Sequence, residues 1–496
     1  MLKTKKISGK IIMGGMILAS PLLMTACNNK ADKADVQKEE VKKDNSVTVG
    51  NKTYSELEYN FYFKNFVETF RSMIGPEDNI KLDFNKSFGS QEYKDGKTWE
   101  EFFKESTNNM ILEIEALKVI GEEKKYSIDK EKLFDEYYKT IEDAAKREMT
   151  KPEVILSSRF GEGANKENIK EAAISLLEAS QVKEKLIDEY KPSEKEINDV
   201  YEKEKDNIDR VYYRQVTFSE NEGLDFSDEK NPPTKEQKAE AAKKAKEKAE
   251  KALSEVKTED DIKKLSEEVY GVNKDHPEDD YSLQDGVYKF EVLKSQENWL
   301  FDKDRKAGDI TLTHDEADES YSLLYFKERK RPEEPTLDIR QLVINTGMNP
   351  NLAEKDFKTK EEYEKYKQEL KEKRTNLQIR TAEILDRWAK GHKNKKEFET
   401  LINDYGNEDA KNVSFYQNQP KENFVPEVGD WAFSEKRKPG DMKAFMAENY
   451  TTFIYIDSIN GPMWESIASK RAKIENTQKI IDAKVKEMSN SKKESK

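Results

Sequence analysis

Trp299-Leu-Phe-Asp-Lys-Asp-Arg-Lys-Ala-Gly308-Asp-Ile and Trp431-Ala-Phe-Ser-Glu-Lys-Arg-Lys-Pro-Gly440-Asp-Met are two copies of one stretch. Trp, Phe, Arg, Lys, Gly and Asp recur in the same register at an offset of 132 residues (431 − 299). Two further landmarks keep step. Arg214-Gln215-Val216 answers Arg340-Gln341-Leu342 at an offset of 126 (340 − 214), and Tyr270-Gly271 answers Tyr405-Gly406 at 135 (405 − 270). Three landmarks in one order at a near-constant spacing indicate one unit present twice in tandem, at about 208–331 and 332–459.

The rest of the chain is read outward from this pair. A length of 496 residues allows about three domains. With 38% charged residues the surface is dominated by lysine and glutamate, while 10% aromatic content supplies enough apolar surface for packed cores. The net charge of −13 favours solubility and repels phosphate, so nucleic acid is not expected as a partner. Cys27 is the single cysteine, which rules out an intrachain disulfide. The three histidines, His276, His314 and His392, are far apart and leave little material for a zinc site or a Ser–His–Asp triad. Asp275-His276-Pro-Glu278-Asp279-Asp280 reads as a solvated acidic loop rather than a cation site, so neither metal nor cofactor is expected.

The start of the chain reads as an export signal. Lys3, Lys5, Lys6 and Lys10 precede an apolar run from Ile11 to Met24, too short to span a bilayer comfortably. Leu23-Met24-Thr25-Ala26-Cys27 resembles the bacterial lipobox, which implies a signal peptide at 1–26 and a diacylglyceryl anchor on Cys27. Two acyl chains suffice for stable attachment. The protein is therefore expected at the extracytoplasmic face of the cell membrane. Residues 27–46, polar and without apolar period, read as a flexible tether.

Residues 47–207 read as nearly all helix after one short strand. Thr53-Tyr-Ser-Glu56, Thr98-Trp-Glu-Glu101 and Ser193-Glu-Lys-Glu196 have the form of capping boxes. Tyr59, Phe63, Phe66, Phe70 and Met73 form a stripe at steps of four and three, expected in the core rather than on a binding face. Further helices read at about 129–149, 165–190 and 193–206. After Gly461-Pro462, the residues Trp464, Ile467, Ile474, Ile481, Val485 and Met488 give a narrow apolar stripe. A lone helix of that kind is marginal in water and needs a partner, so 463–488 is expected to return to 47–207 and complete it.

Each repeat opens on a strand (Val211 to Phe218; Leu337 to Ile344), continues through a long charged helix and a shorter one, and closes on a strand near Tyr321 or Thr452. That order predicts a small α+β domain: an antiparallel sheet with helices on one side. Taken together, Arg340-Gln-Leu-Val-Ile344, Tyr405-Gly406, Phe424-Val-Pro-Glu-Val428, Trp431-Ala-Phe-Ser434 and Pro439-Gly-Asp441 resemble the parvulin (rotamase) domain of peptidyl-prolyl isomerases. With the lipobox and the helical N-terminal part, the whole order resembles foldases of the PrsA and SurA type. The resemblance implies an α+β chain: a helical SurA-like chaperone domain completed by a C-terminal helix, and two tandem parvulin-like domains.

The resemblance also implies where chemistry would sit. Rotation about an X–Pro bond needs an apolar slot and polar groups that favour a twisted amide. The family's first-strand histidine falls on Gln341, its Cys/Asp position on Glu408, and its last-strand histidine on Thr451, or on Thr452 if the strand slips by one. Phe424 and Val428, with Phe433, would form the slot, or would be core, since the two look alike in sequence. In the first repeat the histidine positions fall on Gln215 and Ser322. No histidine remains in either copy. The expectation is a chaperone that binds unfolded, newly exported polypeptides with weak or absent isomerase activity. The alternatives are an active isomerase and a solute-binding lipoprotein, and the sequence lacks the alternating βα units of the latter. Cys27→Ser is expected to release the protein from the membrane fraction on cell fractionation, whereas a processed Cys27→Ser protein retained there would exclude a lipid anchor.

Overall fold

The computed structural model describes residues 46–74, 80–227, 231–271, 280–406 and 415–494. Cys27, the signal region and nearly all of the tether lie outside the described residues. The fold is α+β, with helices and, among the described residues, two four-stranded antiparallel sheets and two small hairpins.

The N-terminal unit starts with strands β1 (Val47–Val49) and β2 (Lys52–Tyr54), paired through a turn in which Gly50 has φ +63°. Helix α1 (Glu56–Met73) follows at once. Because Thr53 belongs to β2, the capping box is Ser55 with Glu58, two residues beyond the expected one. A second hairpin, β3 (Glu92–Lys94) and β4 (Lys97–Thr98), leads into α2 (Trp99–Glu123), capped by Thr98 and Glu101. Then come α3 (Lys130–Arg147), α4 (Pro152–Phe160), α5 (Lys166–Glu189) and α6 (Glu194–Ile208). The sequence reading had no α4. Pro152, seated in its first turn, starts it, since proline's missing N–H costs nothing there.

Phe61, Tyr62, Ile114, Leu117, Phe134 and Val182 centre the main core of this unit. The aromatic stripe on α1 is divided: Tyr59 and Phe66 are buried, Phe63 and Phe70 half-buried, and Met73 exposed. The deepest residues, Phe61 and Tyr62, lie off the stripe. Helix α1 is covered on two sides, by α4 and α5 and by α2, so a single apolar stripe does not describe its buried surface.

The first repeat comprises β5 (Arg210–Ser219), α7 (Lys235–Glu255), α8 (Glu259–Tyr270), β6 (Leu283–Tyr288), α9 (Lys294–Leu300), β7 (Ile310–Asp315) and β8 (Ser320–Lys330). The second comprises β9 (Pro335–Asn345), α10 (Lys360–Lys390), α11 (Lys395–Tyr405), β10 (Phe415–Pro420), α12 (Pro426–Ala432), β11 (Met442–Met446) and β12 (Tyr450–Pro462). The strand orders are β6-β5-β8-β7 and β10-β9-β12-β11, the same arrangement twice. Helices cover both faces of each sheet, not one. In the second repeat, Leu342, Ile344 and Phe453 pack on α10 and α11 through Ile384, Phe398 and Leu401. Ile339 and Ile454, on the other face, pack on the short α12 through Val428 and Ala432.

The repeated stretch is a staple between α9 or α12 and the closing strand. In the first copy the Arg305 guanidinium lies 4.1 Å from the Trp299 ring centroid and donates to Asp309 at 3.1 Å. Gly308, at φ +91°, donates to the Phe326 carbonyl at 2.9 Å, and the Phe326 N–H donates to the Asp309 carbonyl at 2.9 Å. In the second copy Arg437 lies 5.4 Å from the Trp431 ring and 3.4 Å from Asp441. Gly440, at φ +95°, donates to the Ile456 carbonyl at 2.8 Å, and Ile456 donates back to Asp441 at 2.9 Å. A side chain would strain both glycines, which is why Gly recurs there. The other shared glycine differs between copies: Gly271 has φ +77°, whereas Gly406 is at −66° and takes no left-handed cap.

Helix α13 (Met463–Glu494) runs back along α6 and onto α2 and α5. Trp464 meets Tyr201 at 5.1 Å, Ala468 and Ala472 pack against Val200 and Ile208, and Ile481 enters the main core. Beside Ile481, its seam with α2 and α5 also carries polar groups. Gln478 donates to Glu113 at 3.2 Å and to Asp482 at 2.9 Å, and the buried Lys183 ammonium has no hydrogen-bond partner. Burial pushes the Glu113 carboxyl up to about 7, with Lys183 opposing the rise and Asp482 adding to it. Burial pushes the Lys183 ammonium down to about 8 against the pull of Glu113 and Asp482.

A carboxyl that holds its proton more tightly when folded loses stability as it ionises, here as pH rises from its ordinary 4.5 to about 7. Lysine acts at the other end: its penalty is full below about 8 and fades towards 10.5. Glu113→Gln is therefore expected to flatten the decline in thermal midpoint between about pH 4.5 and 7. An unchanged slope in melts recorded across that range would mean that Glu113 does not titrate at this seam.

Candidate functional site

In the second repeat, Gln341 lies mid-strand on β9 and pairs with Ile454 on β12. Cross-strand partners point to one face, so Gln341, Val343, Thr452 and Ile454 share the face under α12. Thr451 does not. It pairs with Ile344, lies on the α10 face, and shares a 2.9 Å hydrogen bond with Thr381 of α10. Of the expected Gln341, Glu408 and Thr451, the first and last lie on opposite faces: the register gives the position beside Gln341 to Thr452, and Glu408 lies outside the described residues. The Gln341 Oε1 atom is buried without a hydrogen-bond partner.

Phe424 and Val428 are 2% and 1% exposed and pack with Leu337, Ile339 and Ala432. They are core residues rather than an open slot. Phe433 is half-buried, its ring 5.9 Å from that of Phe424, and it is the one of the three with free surface. Phe445 seals the same face at 8% exposure.

The first repeat differs at the matching place. Gln215 pairs with Leu324 and Thr217 with Ser322, so all four share a face. Gln215 Nε2 donates to Thr217 Oγ1 at 3.0 Å and to Ser322 Oγ at 3.1 Å, and the two hydroxyls lie 3.1 Å apart. The two positions expected there, Gln215 and Ser322, are brought together. These groups are neutral and can hold an amide by hydrogen bonds; they offer no nucleophile or general base at neutral pH.

A third feature escaped the sequence reading. A cleft of about 450 Å³ opens on the N-terminal unit, walled by Tyr59, Phe63, Phe84 and Phe88, with Lys64, Lys86 and Lys104 at its rim. Behind it lies a cluster of rings around Phe103: Phe88 at 5.0 Å, Phe70 at 5.3 Å and Trp99 at 5.6 Å between centroids. The signal was the apolar spacing of Ile80, Leu82, Phe84 and Phe88 in a stretch without helical period. Aromatic walls suit apolar side chains on an extended chain, and at the rim Lys104 pairs with Glu100 and Lys86 with Asp83.

If Phe424 is core, Phe424→Ala is expected to cost about 3–5 kcal/mol in denaturant unfolding of the second repeat. A loss below about 1 kcal/mol would return it to a ligand-facing role. No family model matches this chain, and no curated protein matches it.

Proposed function

We propose that the protein is a lipid-anchored extracytoplasmic chaperone of the PrsA and SurA type, which holds newly exported, unfolded polypeptides near the membrane. The helical N-terminal unit with α13 would be its chaperone domain, and the two repeats would be parvulin-like domains with little or no isomerase activity. The lipobox-like segment, the tandem α+β units and the parvulin-like motifs support this reading. The observation that carries it is the open aromatic cleft between Phe63, Phe84 and Phe88, a half-buried apolar surface of the kind that marks interaction sites. Weak catalysis follows from the neutral groups at Gln215, Ser322, Gln341 and Thr452, where the family carries histidines.

The test uses the soluble chain from residue 28 onward and a reduced, permanently unfolded client protein. The chain is expected to suppress client aggregation, and Phe84→Ala to weaken client binding several-fold with little change in thermal midpoint. A chain that neither binds the client nor slows its aggregation would overturn the chaperone reading. In a proline-limited refolding assay kcat/KM is expected to stay at the uncatalysed background, and clear acceleration would restore the isomerase alternative.

A further inference from the structure

The two halves of α13 are held by different chemistry. In the first half Trp464, Ala468 and Ala472 recur at steps of four and pack on Val200, Tyr201 and Ile208 of α6. Along the same seam Arg471 pairs with Glu204, and Lys203 with Glu475 at 2.7 Å. In the second half the buried positions are Thr477, Gln478 and Ile481. Among the described residues after Ala472, Ile481 is the only buried apolar side chain, with Val485 half-buried beside it.

The polar groups of this second half are poorly matched to their surroundings. Thr477 is 0% exposed, and its Oγ1 has no hydrogen-bond partner among the described residues. Lys183 of α5 is 1% exposed, and its Nζ has none either. That ammonium lies in the field of Glu113 on α2 and Asp482 on α13 without bonding to either. Gln478 donates to both of those carboxylates instead. Lys484 reaches Glu123 at 2.9 Å, but this carboxylate is open to water, and such a pair adds little. Burying a cation and a hydroxyl without partners opposes docking. The helix is therefore firmly seated on α6 and weakly seated on α2 and α5, which is where local opening is expected. What the weak half covers is apolar: Ile481 and Val485 lie against the core to which α2 contributes Ile114, Leu117 and Ile120, and α5 contributes Val182 and Leu186.

We propose that the C-terminal half of α13 is the displaceable occupant of a binding groove between α2 and α5, whose partner is an amphipathic helical segment of an unfolded client. The present occupant shows what fits. The segment carries apolar side chains four residues apart, as Ile481 and Val485 are, and brings the oxygen acceptor for Lys183 that α13 does not supply. The inference rests on the chaperone reading and adds to it a second site, distinct from the Phe84 cleft and closed in the resting chain. Docked α13 lowers the apparent affinity of the groove in proportion to the fraction of molecules that are open.

The probe is a labelled synthetic peptide of residues 474–490, titrated into the soluble chain from residue 28 onward, alongside native-state hydrogen exchange. Amides of 477–484 are expected to exchange about tenfold faster, or more, than those of 467–474 in the same helix. Equal protection of the two halves would mean that α13 leaves only on global unfolding, and would overturn the proposal. Two changes on α13 leave the groove itself untouched. Thr477→Val removes an unpaired buried hydroxyl at nearly constant shape, so it is expected to slow exchange of 477–484 and weaken peptide binding about three- to tenfold. Ile481→Ala loosens docking, so it is expected to speed that exchange and tighten peptide binding by a similar factor. A lowered thermal midpoint in Ile481→Ala with unchanged peptide affinity would make α13 a fixed part of the core and overturn the groove. Peptide binding that Phe84→Ala abolishes would belong to the cleft and overturn it as well. Failure here is distinct from failure of the chaperone reading: a chain that holds an unfolded client through the Phe84 cleft, while no variant binds the peptide, retains the function and lacks this site.

Discussion

Each repeat depends on one pairing, that of its opening strand with its closing strand, β5 with β8 and β9 with β12. These strands lie about a hundred residues apart in the chain, so the pairing closes a long loop and everything between must fit its two faces. Parity along the pair then assigns every side chain. Leu342, Ile344 and Phe453 turn towards α10, while Gln341, Val343, Thr452 and Ile454 turn towards α12. A slip of one residue would exchange the two sets. The staple of Trp, Arg, Gly and Asp locks this register from the side, by tying the turn before β7 or β11 to the backbone of the closing strand.

The N-terminal unit and the repeats meet at one joint. Helix α6 ends at Ile208 just before β5, and α13 starts at Met463 just after β12, so the helix pair α6–α13 brackets both repeats. Trp464 is held there between Tyr201 and Arg331, whose guanidinium lies 4.3 Å from its ring, and its indole N–H donates to Glu333 at 3.2 Å. Arg329 binds Asp209 at 2.9 Å and ties the end of β8 to the end of α6. Arg210 pairs with Glu334 at 2.7 Å and with Glu422, linking the first repeat to the second. The apolar part of α13 gives affinity for α2, α5 and α6. The polar seam of Glu113, Lys183 and Gln478 gives register instead, since a mispositioned helix would leave further buried charge unpaired.

Surface chemistry divides along the same lines. The surfaces that offer apolar contact are where aromatic side chains outnumber the partners available within the fold, around Phe84 and Phe88. On the sheet face of the first repeat, polar side chains bond to one another instead, as at Gln215, Thr217 and Ser322. The two repeats show the alternatives: one fills the gap under its short helix with valine and phenylalanine and gains a sealed core, the other leaves amides and hydroxyls there.

The sequence by itself determined the duplication, the helix starts at Thr98 and Ser193 and the apolar stripe on α13, because each is a local pattern: a repeated motif, a capping box, a period. The resemblance to the parvulin domain also placed Gln215 and Ser322 at one site. It did not decide between Thr451 and Thr452, because strand register is set by pairing with residues a hundred positions away. Nor did it decide whether Phe424 and Val428 are slot or core, because both are apolar and only the packing of α12 on the sheet buries them. The cleft at Phe84 was invisible for the same reason: it is defined by what surrounds it in three dimensions, and a single chain written in order carries no record of its neighbours in space.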